Sequence, residues 1–250
     1  MVRVIPVTGL SGTGKTTFIR ALIPLLSRLG PVGTVKHVGH HTMELPEDKD
    51  TTTMFGAGAE AAIGIDREKM LITLDSTSLA DALEILAGQG IAFAIVEGYK
   101  SSPLPKIAIG DVKVEGCILR NPEPEEVIRS LDRFPSYFTL GEIVRELGED
   151  CRAGRSSISL TASTTPLPSE LKGDILPDFE RELPRVAESV KVLPGIIGTR
   201  IVVQRGSLFG KADQLFVAVA GEDGDDTAEA LSQTIRLYKE LLEAHGICLR

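Results

Sequence analysis

Hydrophobic residues in the first half of the chain alternate between short β-branched runs and longer stretches with helical spacing. Residues 2–8 form a run typical of a buried strand, and residues 17–26 place their apolar side chains on one helical face. Residues 91–96 are continuously apolar, as in a strand that is covered on both faces. Further strands are predicted at 32–38, 69–74, 106–109 and 117–119, and a further helix at 78–86. This alternation predicts an α/β fold with a mostly parallel sheet and helices on both of its faces.

The pattern is different after residue 120, where strands and helices no longer alternate regularly. A short helix is expected after Asn121. The other elements predicted in this half are helices at 139–147 and 227–244, strands at 156–160, 200–204 and 214–220, and a Ser/Thr/Pro-rich loop at 161–169. The last two strands are expected to pair with each other. We therefore predict two domains, an α/β domain at 1–125 and a smaller α+β domain at 135–250.

Composition and charge narrow the class of protein. The chain has 250 residues, of which 42% are hydrophobic and 25% charged, as is ordinary for a soluble globular protein. Its net charge of -8 argues against a broad nucleic-acid surface, and no apolar run approaches the ~18 residues that a membrane span needs. No signal-peptide pattern precedes the first strand, and the three cysteines are widely spaced. We therefore expect a cytoplasmic protein that binds neither nucleic acid nor membrane.

The candidate chemistry begins directly after the first predicted strand. Residues 9–16 read GLSGTGKT, the pattern G-x-x-x-x-G-K-[ST] of a phosphate-binding P-loop, and a predicted helix follows them. Gly12 and Gly14 let the backbone turn tightly so that its N–H groups approach phosphate oxygens, and the helix N-terminus adds partial positive charge. Lys15 is expected to reach the β- and γ-phosphates, and the Thr16 hydroxyl to bind Mg²⁺. The sequence therefore predicts a site for a nucleoside triphosphate.

Two carboxylates are candidates for the catalytic side of this site. Glu97 ends the apolar run at 91–96, and the carboxyl end of a strand beside the P-loop strand is where such sheets place an acid that holds Mg²⁺ or orients water. Asp50 follows a polar loop, where it either holds Mg²⁺ through water or caps the helix that starts there. The identity of the base stays open, because no [NT]-K-x-D motif that would read guanine is present.

Histidines cluster at the end of the second predicted strand. Residues 36–41 read KHVGHH and hold three of the four histidines of the chain. These side chains are expected to contact phosphate, a cofactor or a metal ion, although no cysteine lies nearby in sequence to complete a metal site. They leave open a metal-delivery P-loop GTPase with His37, His40 and His41 as transient ligands. The P-loop alone also leaves open a small-molecule kinase.

Four ordered segments carry a resemblance to a known family. GLSGTGKTT, KHVGHH, DKDTTTMFGAGA and AIVEGYK, the last followed by Pro105-Lys106, are similar in order and spacing to segments of molybdopterin-guanine dinucleotide biosynthesis protein B, MobB. The resemblance covers residues 1 to about 120, and this chain departs from the family where Asp48 stands in place of glycine and Thr51 in place of serine. It implies a P-loop domain that binds GTP with Mg²⁺, hydrolyses it weakly and assists a guanylyltransferase that attaches GMP to molybdopterin.

The same resemblance implies roles for particular residues. It makes Lys36, His37, His41, Asp50 and Glu97 residues of the site. Together with the P-loop and the position of the strand end, this leads us to expect Glu97 and Asp50 as the catalytic carboxylates, and Thr16 and Glu97 as the groups that hold Mg²⁺. The nucleotide contacts that it implies are Gly12, Thr13, Gly14, Lys15, Thr16, Thr17, Lys36, His37 and His41. The partners that it implies are the guanylyltransferase and molybdopterin itself, and a homodimer is expected because proteins of this family self-associate.

The second half of the chain resembles the large subunit of molybdopterin synthase, MoaE. The matching segments are Ala153-Gly154, residues 201–210, residues 215–220 and Tyr238-Lys239. The departures are Gln204 in place of a histidine, Gly224-Asp225-Asp226 in place of a His-Arg pair, and residues 245–250 in place of a Trp-Lys-Lys-Glu segment. Sulfur transfer in that family needs cationic groups to hold the pterin phosphate. The resemblance therefore implies a degenerate domain that keeps the synthase fold without its chemistry; an unrelated α+β dimerisation module is the alternative.

Overall fold

The structure is a computed structural model, and it describes residues 1–39, 42–46, 49–151, 159–168, 170–171 and 175–247. Two units follow each other along the chain, one built on a parallel sheet and one on an antiparallel sheet. The elements of the first unit are β1 (Val2–Gly9), α1 (Lys15–Ser27), β2 (Val32–Lys36), α2 (Asp50–Gly56), β3 (Ala61–Ile65), β4 (Met70–Leu74), α3 (Leu79–Gly88), β5 (Phe93–Glu97), β6 (Lys106–Ile109), β7 (Cys117–Arg120), α4 (Pro124–Arg129) and β8 (Ser136–Tyr137).

The first sheet has the strand order β2-β5-β1-β6-β7, and neighbours in this order run parallel. The short strand β8 pairs antiparallel with the start of β1. Residues of β5 are buried through the middle of the strand, as the continuous apolar run at 91–96 predicts. The prediction of a mostly parallel sheet is therefore confirmed.

Helices cover both faces of this sheet, as the alternation of elements predicts. Val7 of β1 packs in one hydrophobic cluster with Leu22 of α1 and Val127 of α4. Val4 of the same strand packs in a second cluster with Leu83 of α3. Because successive side chains of a strand point to opposite faces, residues at odd positions of β1 face α1 and residues at even positions face α3.

Strand β4, predicted at 69–74, lies outside the parallel sheet. It pairs antiparallel with β3, which the sequence analysis does not predict, and the two form a separate hairpin. The expectation that this segment continues the parallel alternation is wrong, because a short turn joins two strands with no helix between them. In that turn Asp66 Oδ1 accepts hydrogen bonds from the backbone N–H groups of Glu68 and Lys69 at 2.7 and 2.8 Å.

The second unit places a three-stranded antiparallel sheet between helices, in the order β10-β11-β9. Its elements are α5 (Leu140–Cys151), β9 (Ser159–Pro166), α6 (Ile175–Lys191), β10 (Ile196–Gln204), β11 (Gln214–Gly221) and α7 (Gly224–Ala244). Leu147 of α5 packs against Phe216 on one face, while Phe179 of α6 and Tyr238 of α7 pack against Val217 on the other. The predicted pairing of the last two strands is confirmed. Among the described residues, no helix is both long and apolar enough to cross a membrane.

Two elements of the second unit depart from the sequence analysis. The loop predicted at 161–169 is wrong over 161–166, where β9 pairs residue by residue with β11. Threonines suit a strand, and the partner strand that satisfies their backbone is not visible in the local sequence. Helix α6 is not predicted either, because Pro184 interrupts its helical pattern.

The two units contact each other through the turn that follows β10. Phe209 in this turn is buried in the cluster that covers the α3 face of the first sheet, and its ring meets the edge of Tyr137 at 5.1 Å. Lys211 Nζ lies 3.1 Å from Asp81 Oδ1 on α3. The division of the chain into the two domains stays a prediction, since β8 of the predicted second domain pairs with β1 of the first.

Candidate nucleotide-binding site

The P-loop joins β1 to α1 through two glycines in the left-handed region. Gly12 has a φ of 75° and Gly14 a φ of 86°, conformations that residues with a side chain rarely adopt. Gly14 is the residue that precedes the first turn of α1. The pattern of the sequence is thus matched by the backbone that a phosphate cradle requires.

The P-loop packs tightly against the end of β6. A Cβ atom on Gly9 would lie 2.5 Å from the backbone oxygen of Ile109 and 2.8 Å from Thr13 Oγ1. A Cβ atom on Gly110, which has a φ of 76°, would lie 2.9 Å from Thr13 Cγ2. Glycine at both positions therefore lets the loop sit directly on the neighbouring strand, and this contact fixes the position of Thr13.

Polar groups of the P-loop converge on one carbonyl and leave the helix start open. Lys15 Nζ donates a hydrogen bond to the backbone oxygen of Leu10 at 2.6 Å, and Thr13 Oγ1 donates to the same oxygen at 2.9 Å. Thr16 and Thr17 are exposed in the first turn of α1. This turn contains no acidic residue, and no side chain caps it. Its N–H groups and its partial positive charge are therefore available to an anion.

Glu97 and Lys36 lie side by side at the carboxyl edge of the sheet, next to the P-loop. Glu97 is in register with Val7 of β1 on one side and with Lys36 of β2 on the other. Side-chain alternation along β5 places Glu97 on the same face as Ile95, which is the face that α1 covers. Within the described residues neither charged side chain makes a hydrogen bond or an ion pair. Both are therefore free to act on a ligand.

His37 leaves the end of β2 and stacks on an aromatic ring from the loop after β5. The ring centroids of His37 and Tyr99 are 4.3 Å apart, with an angle of 30° between the planes. Tyr99 has a φ of 49°, and burial raises the pKa of its phenol above the ordinary value. A Cβ atom on Gly98 would lie 3.0 Å from His37 Cβ. The segment after β2 and the loop after Glu97 are thus packed together beside the candidate site.

Lys106 is a residue of this site that the sequence analysis names only as part of a family segment. Its side chain is fully buried, and Nζ donates to the backbone oxygens of Tyr99, Lys100 and Ser102 at 3.4, 3.0 and 2.6 Å. Removal from water lowers the pKa of this ammonium group. Lys106 therefore holds the loop after Glu97 in place. A lysine that begins a buried strand is the signal in the sequence that could have revealed this role.

The remaining predicted site residues are not brought to the P-loop by any described contact. Asp50 is exposed in the first turn of α2, a helix that packs on β3, and its side chain does not cap the helix. Its catalytic role stays a prediction. His40, His41 and Asp48 lie outside the described residues. In the described part of the chain, no group of three or more His, Cys, Asp or Glu side chains could hold a metal ion.

Comparison with known proteins decides the family. The profile of the family described as "Molybdopterin guanine dinucleotide synthesis protein B" matches residues 4–128, which is half of the chain. The chain belongs to the MobB family. The match starts in β1 and ends in α4, so it contains the P-loop, Lys36, Glu97 and Lys106.

Three relatives whose names describe them as adapter proteins are similar to part of the chain. The molybdopterin-guanine dinucleotide biosynthesis adapter protein of Haemophilus influenzae is 38% identical over 109 residues, which is 41% of this chain and 60% of the relative. The probable adapter protein of Bacillus subtilis is 32% identical over 110 residues, 42% of this chain and 64% of the relative. The adapter protein of Escherichia coli is 31% identical over 106 residues, 40% of this chain and 60% of the relative. This chain thus spans less than two thirds of each of these three relatives.

Solved structures of MobB proteins were also found by comparison of folds. The crystal structure of Bacillus subtilis MobB aligns with 54% of this chain and 99% of its own, at 22% identity and a TM-score of 0.42. A MobB homologue from Bacillus stearothermophilus aligns with 52% of this chain and 92% of its own, at 21% identity and a TM-score of 0.35.

Proposed function

We propose that this protein binds GTP with Mg²⁺ and acts as an adapter in the synthesis of the molybdopterin-guanine dinucleotide form of the molybdenum cofactor. The observation that carries the proposal is the P-loop at the carboxyl end of β1, whose two glycines have left-handed backbones and whose helix start carries no acid or cap. Membership of the MobB family and the printed names of the relatives supply the pathway.

In this proposal the triphosphate lies on the start of α1. Backbone N–H groups from Gly12 to Thr17 surround the β- and γ-phosphates, together with the hydroxyl of Thr13. Lys15 exchanges its bond to the carbonyl of Leu10 for bonds to phosphate oxygens, which are stronger because both partners are charged. We further propose that Lys36, His37 and His41 contact the nucleotide, as the resemblance to the family implies.

The donor set beside the P-loop fits Mg²⁺. This ion keeps several waters and is held by one or two protein oxygens together with phosphate oxygens. The exposed hydroxyl of Thr16 would supply one of those oxygens, and the carboxylate of Glu97, which has no partner among the described residues, would supply the other. Glu97 would hold Mg²⁺ or orient a water toward the γ-phosphate, with Asp50 as a second carboxylate, so that slow hydrolysis of GTP is the expected reaction.

The partners follow from the adapter role. We propose that the protein assists a guanylyltransferase of the pathway in the cytoplasm, handles molybdopterin with it, and works as a homodimer. The β3–β4 hairpin supports the homodimer, because Ile63, Ile65, Met70 and Leu71 are each more than half exposed on it. Sedimentation of an Ile65→Asp variant, compared with Val192→Asp on an equally exposed turn, would show a loss of dimer only for the hairpin variant.

The second unit is proposed to be a MoaE-like domain without synthase activity. Arg205, the cation that this segment retains, is held in a two-bond ion pair by Glu180 at 2.9 and 2.7 Å. Asp223, Asp225 and Asp226 crowd the start of α7, where a pterin phosphate would be repelled. The sulfur-transfer assay that tests this proposal supplies the protein with precursor pterin and a thiocarboxylated small subunit, and no molybdopterin should form.

Calorimetric titration tests the nucleotide part of the proposal. GTP should bind at one site per chain in the presence of Mg²⁺, and chelation of Mg²⁺ should weaken the binding.

Mass spectrometry of small molecules carried by the purified protein tests the pathway, because a bound pterin would support it. A protein that binds no triphosphate would contradict the nucleotide proposal. Stoichiometric binding of a transition metal would favour a metal-delivery GTPase, and transfer of phosphate to an acceptor other than water would favour a kinase.

A further inference from the structure

A shallow cavity of about 440 Å³, open to solvent, lies beside the P-loop, between α1 and the turn that follows β7. Its size falls in the range of pockets that bind small ligands. Gly14 and Thr17 belong both to this cavity and to the loop-helix junction that is proposed to hold phosphate. Phe18, Ala21 and Ile109 give it apolar walls. A nucleotide whose phosphates lie on the start of α1 can therefore place its flat, apolar base faces in this cavity.

The far wall of the cavity is a turn whose backbone is fixed by hydrogen bonds. Asn121 has a φ of 44°, and its Oδ1 accepts a hydrogen bond from the backbone N–H of Gly110 at 2.6 Å. Its own N–H donates to the backbone oxygen of Ala108 at 2.8 Å. Arg120 Nη1 donates to the backbone oxygens of Gly110 and Val112 at 3.2 and 2.9 Å. Gly110 also packs against Thr13 of the P-loop. The turn and the P-loop are therefore fixed relative to each other.

This arrangement leaves two unused polar groups on the cavity wall. Because Oδ1 of Asn121 is already occupied by an N–H donor, its NH₂ group is the part that can donate to a ligand. Glu123 precedes α4, whose first residue Pro124 has no N–H to offer, and Glu123 caps no backbone group of that helix. Its carboxylate makes no hydrogen bond or ion pair within the described residues. Asn121 and Glu123 thus line the same cavity, one with an NH₂ donor and the other with a carboxylate that can accept two hydrogen bonds.

The chemistry of these two groups discriminates between bases. Guanine presents two adjacent N–H donors, at N1 and at the 2-amino group, and a carboxylate can accept both at once. Its O6 and N7 are acceptors for an amide NH₂ group. Adenine has an acceptor at N1 and no amino group at C2, so a carboxylate there would meet a lone pair and remain partly unpaired. Sites built to bond polar groups of one ligand reject analogues that lack them.

We propose that this cavity is the nucleobase site, that Glu123 selects guanine through its two N–H donors, and that Asn121 contributes the facing donor. The proposal rests on the proposed function, because it assumes that the triphosphate binds at the P-loop. It assigns the guanine-reading carboxylate to a residue outside the [NT]-K-x-D pattern, which this chain lacks.

The test compares the affinities of four triphosphates for the wild-type protein and for Glu123→Gln. Wild type should bind GTP at least about tenfold more tightly than ATP, with inosine triphosphate between them because it lacks the 2-amino group, and xanthosine triphosphate weaker than GTP. Glu123→Gln should weaken GTP by about tenfold and should favour xanthosine triphosphate, since the new NH₂ group can donate to the oxygen at C2. Glu125→Gln, in the first turn of the same helix, is the matched control and should keep the wild-type order.

The outcomes separate this inference from the proposed function. If wild type binds none of the four triphosphates, the proposed function itself is contradicted. If GTP binds but Glu123→Gln keeps the wild-type ratio of GTP to xanthosine triphosphate, the base is read elsewhere and only the inference is overturned. If the variant does not fold, the affinities of the wild-type protein for GTP, inosine triphosphate and xanthosine triphosphate remain as the test. Equal affinities for the three would overturn the inference.

Discussion

Two helices of this chain follow a strand closely and begin in opposite ways. Helix α1 follows β1, has Gly14 before its first turn, and carries neither a side-chain cap nor an acidic residue there. Helix α7 follows β11, and Asp223 caps it by accepting hydrogen bonds from the backbone N–H groups of Asp225 and Asp226 at 2.8 and 3.4 Å. One start thus offers its N–H groups to a ligand, and the other has satisfied them with its own carboxylate.

The difference shows what an anion site requires of a helix start. Both helices have the same partial positive charge at the N-terminus. In α7 the acidic residues interact with that charge and stabilise the helix. The N–H groups that an external phosphate would need are already bonded to Asp223. In α1 the uncapped start gives up this stabilisation, and the packing of Gly9 and Thr13 against β6 holds the loop instead. The candidate phosphate site of this protein is therefore the helix start that tertiary contacts hold in place without a cap.

The largest expected effect comes from removing the cation of the α1 start. Lys15→Ala should weaken GTP binding by about tenfold or more, because hydrogen bonds between charged partners contribute roughly 1.5–3 kcal/mol. Calorimetric titration measures the change. Lys239→Ala, an exposed lysine on α7, is the control and should bind as wild type does. If a Lys15→Ala variant keeps its circular dichroism spectrum and binds GTP as tightly as wild type, the start of α1 is not the phosphate site.

The next effect concerns Lys106, the buried lysine that holds the loop after Glu97. Lys106→Met keeps most of the volume but leaves the backbone oxygens of Tyr99, Lys100 and Ser102 without their donor. We expect the free energy of unfolding to fall by about 1–3 kcal/mol, and GTP to bind more weakly because the loop beside Glu97 relaxes. Urea denaturation gives the first quantity and titration the second. The exposed Lys113→Met is the control, and wild-type stability of Lys106→Met would refute the role of this lysine.

These contacts also show how far the sequence predicts the site. The P-loop, the strand that ends at Glu97 and the strand that ends at Lys36 are local patterns, and the parallel register brings them to one edge of the sheet. The buried hydrogen bonds of Lys106 and the turn at Asn121 depend on chain segments that meet only in the fold. The same is true of β9, whose threonines read as a loop until β11 pairs with them. Local patterns therefore predict phosphate chemistry, while base recognition and loop support require the tertiary structure.

The next effect is on hydrolysis rather than on binding, and it is expected when Glu97, at the α1 side of the sheet, loses its charge. Glu97→Gln keeps the volume and most hydrogen bonds but removes the negative charge that would hold Mg²⁺ or orient water. GTP should still bind, while its hydrolysis should slow by about tenfold or more. Release of inorganic phosphate at saturating GTP measures this change, and Asp50→Asn is the comparison that separates the two candidate carboxylates. Hydrolysis at the wild-type rate by Glu97→Gln would leave Asp50 as the better candidate.

The smallest effect is expected at the start of α7, and it tests why this helix start does not bind phosphate. Asp223→Ala removes the cap of α7 and should lower the free energy of unfolding by about 1 kcal/mol, as loss of an N-terminal cap does in other helices. It should not create a phosphate site, because Asp225 and Asp226 still repel an anion from the exposed N–H groups. Urea denaturation and GTP titration measure the two quantities, with the exposed Glu229→Ala as control. If a second GTP site appeared in Asp223→Ala, the cap alone, and not Asp225 and Asp226, would be what prevents the start of α7 from binding phosphate.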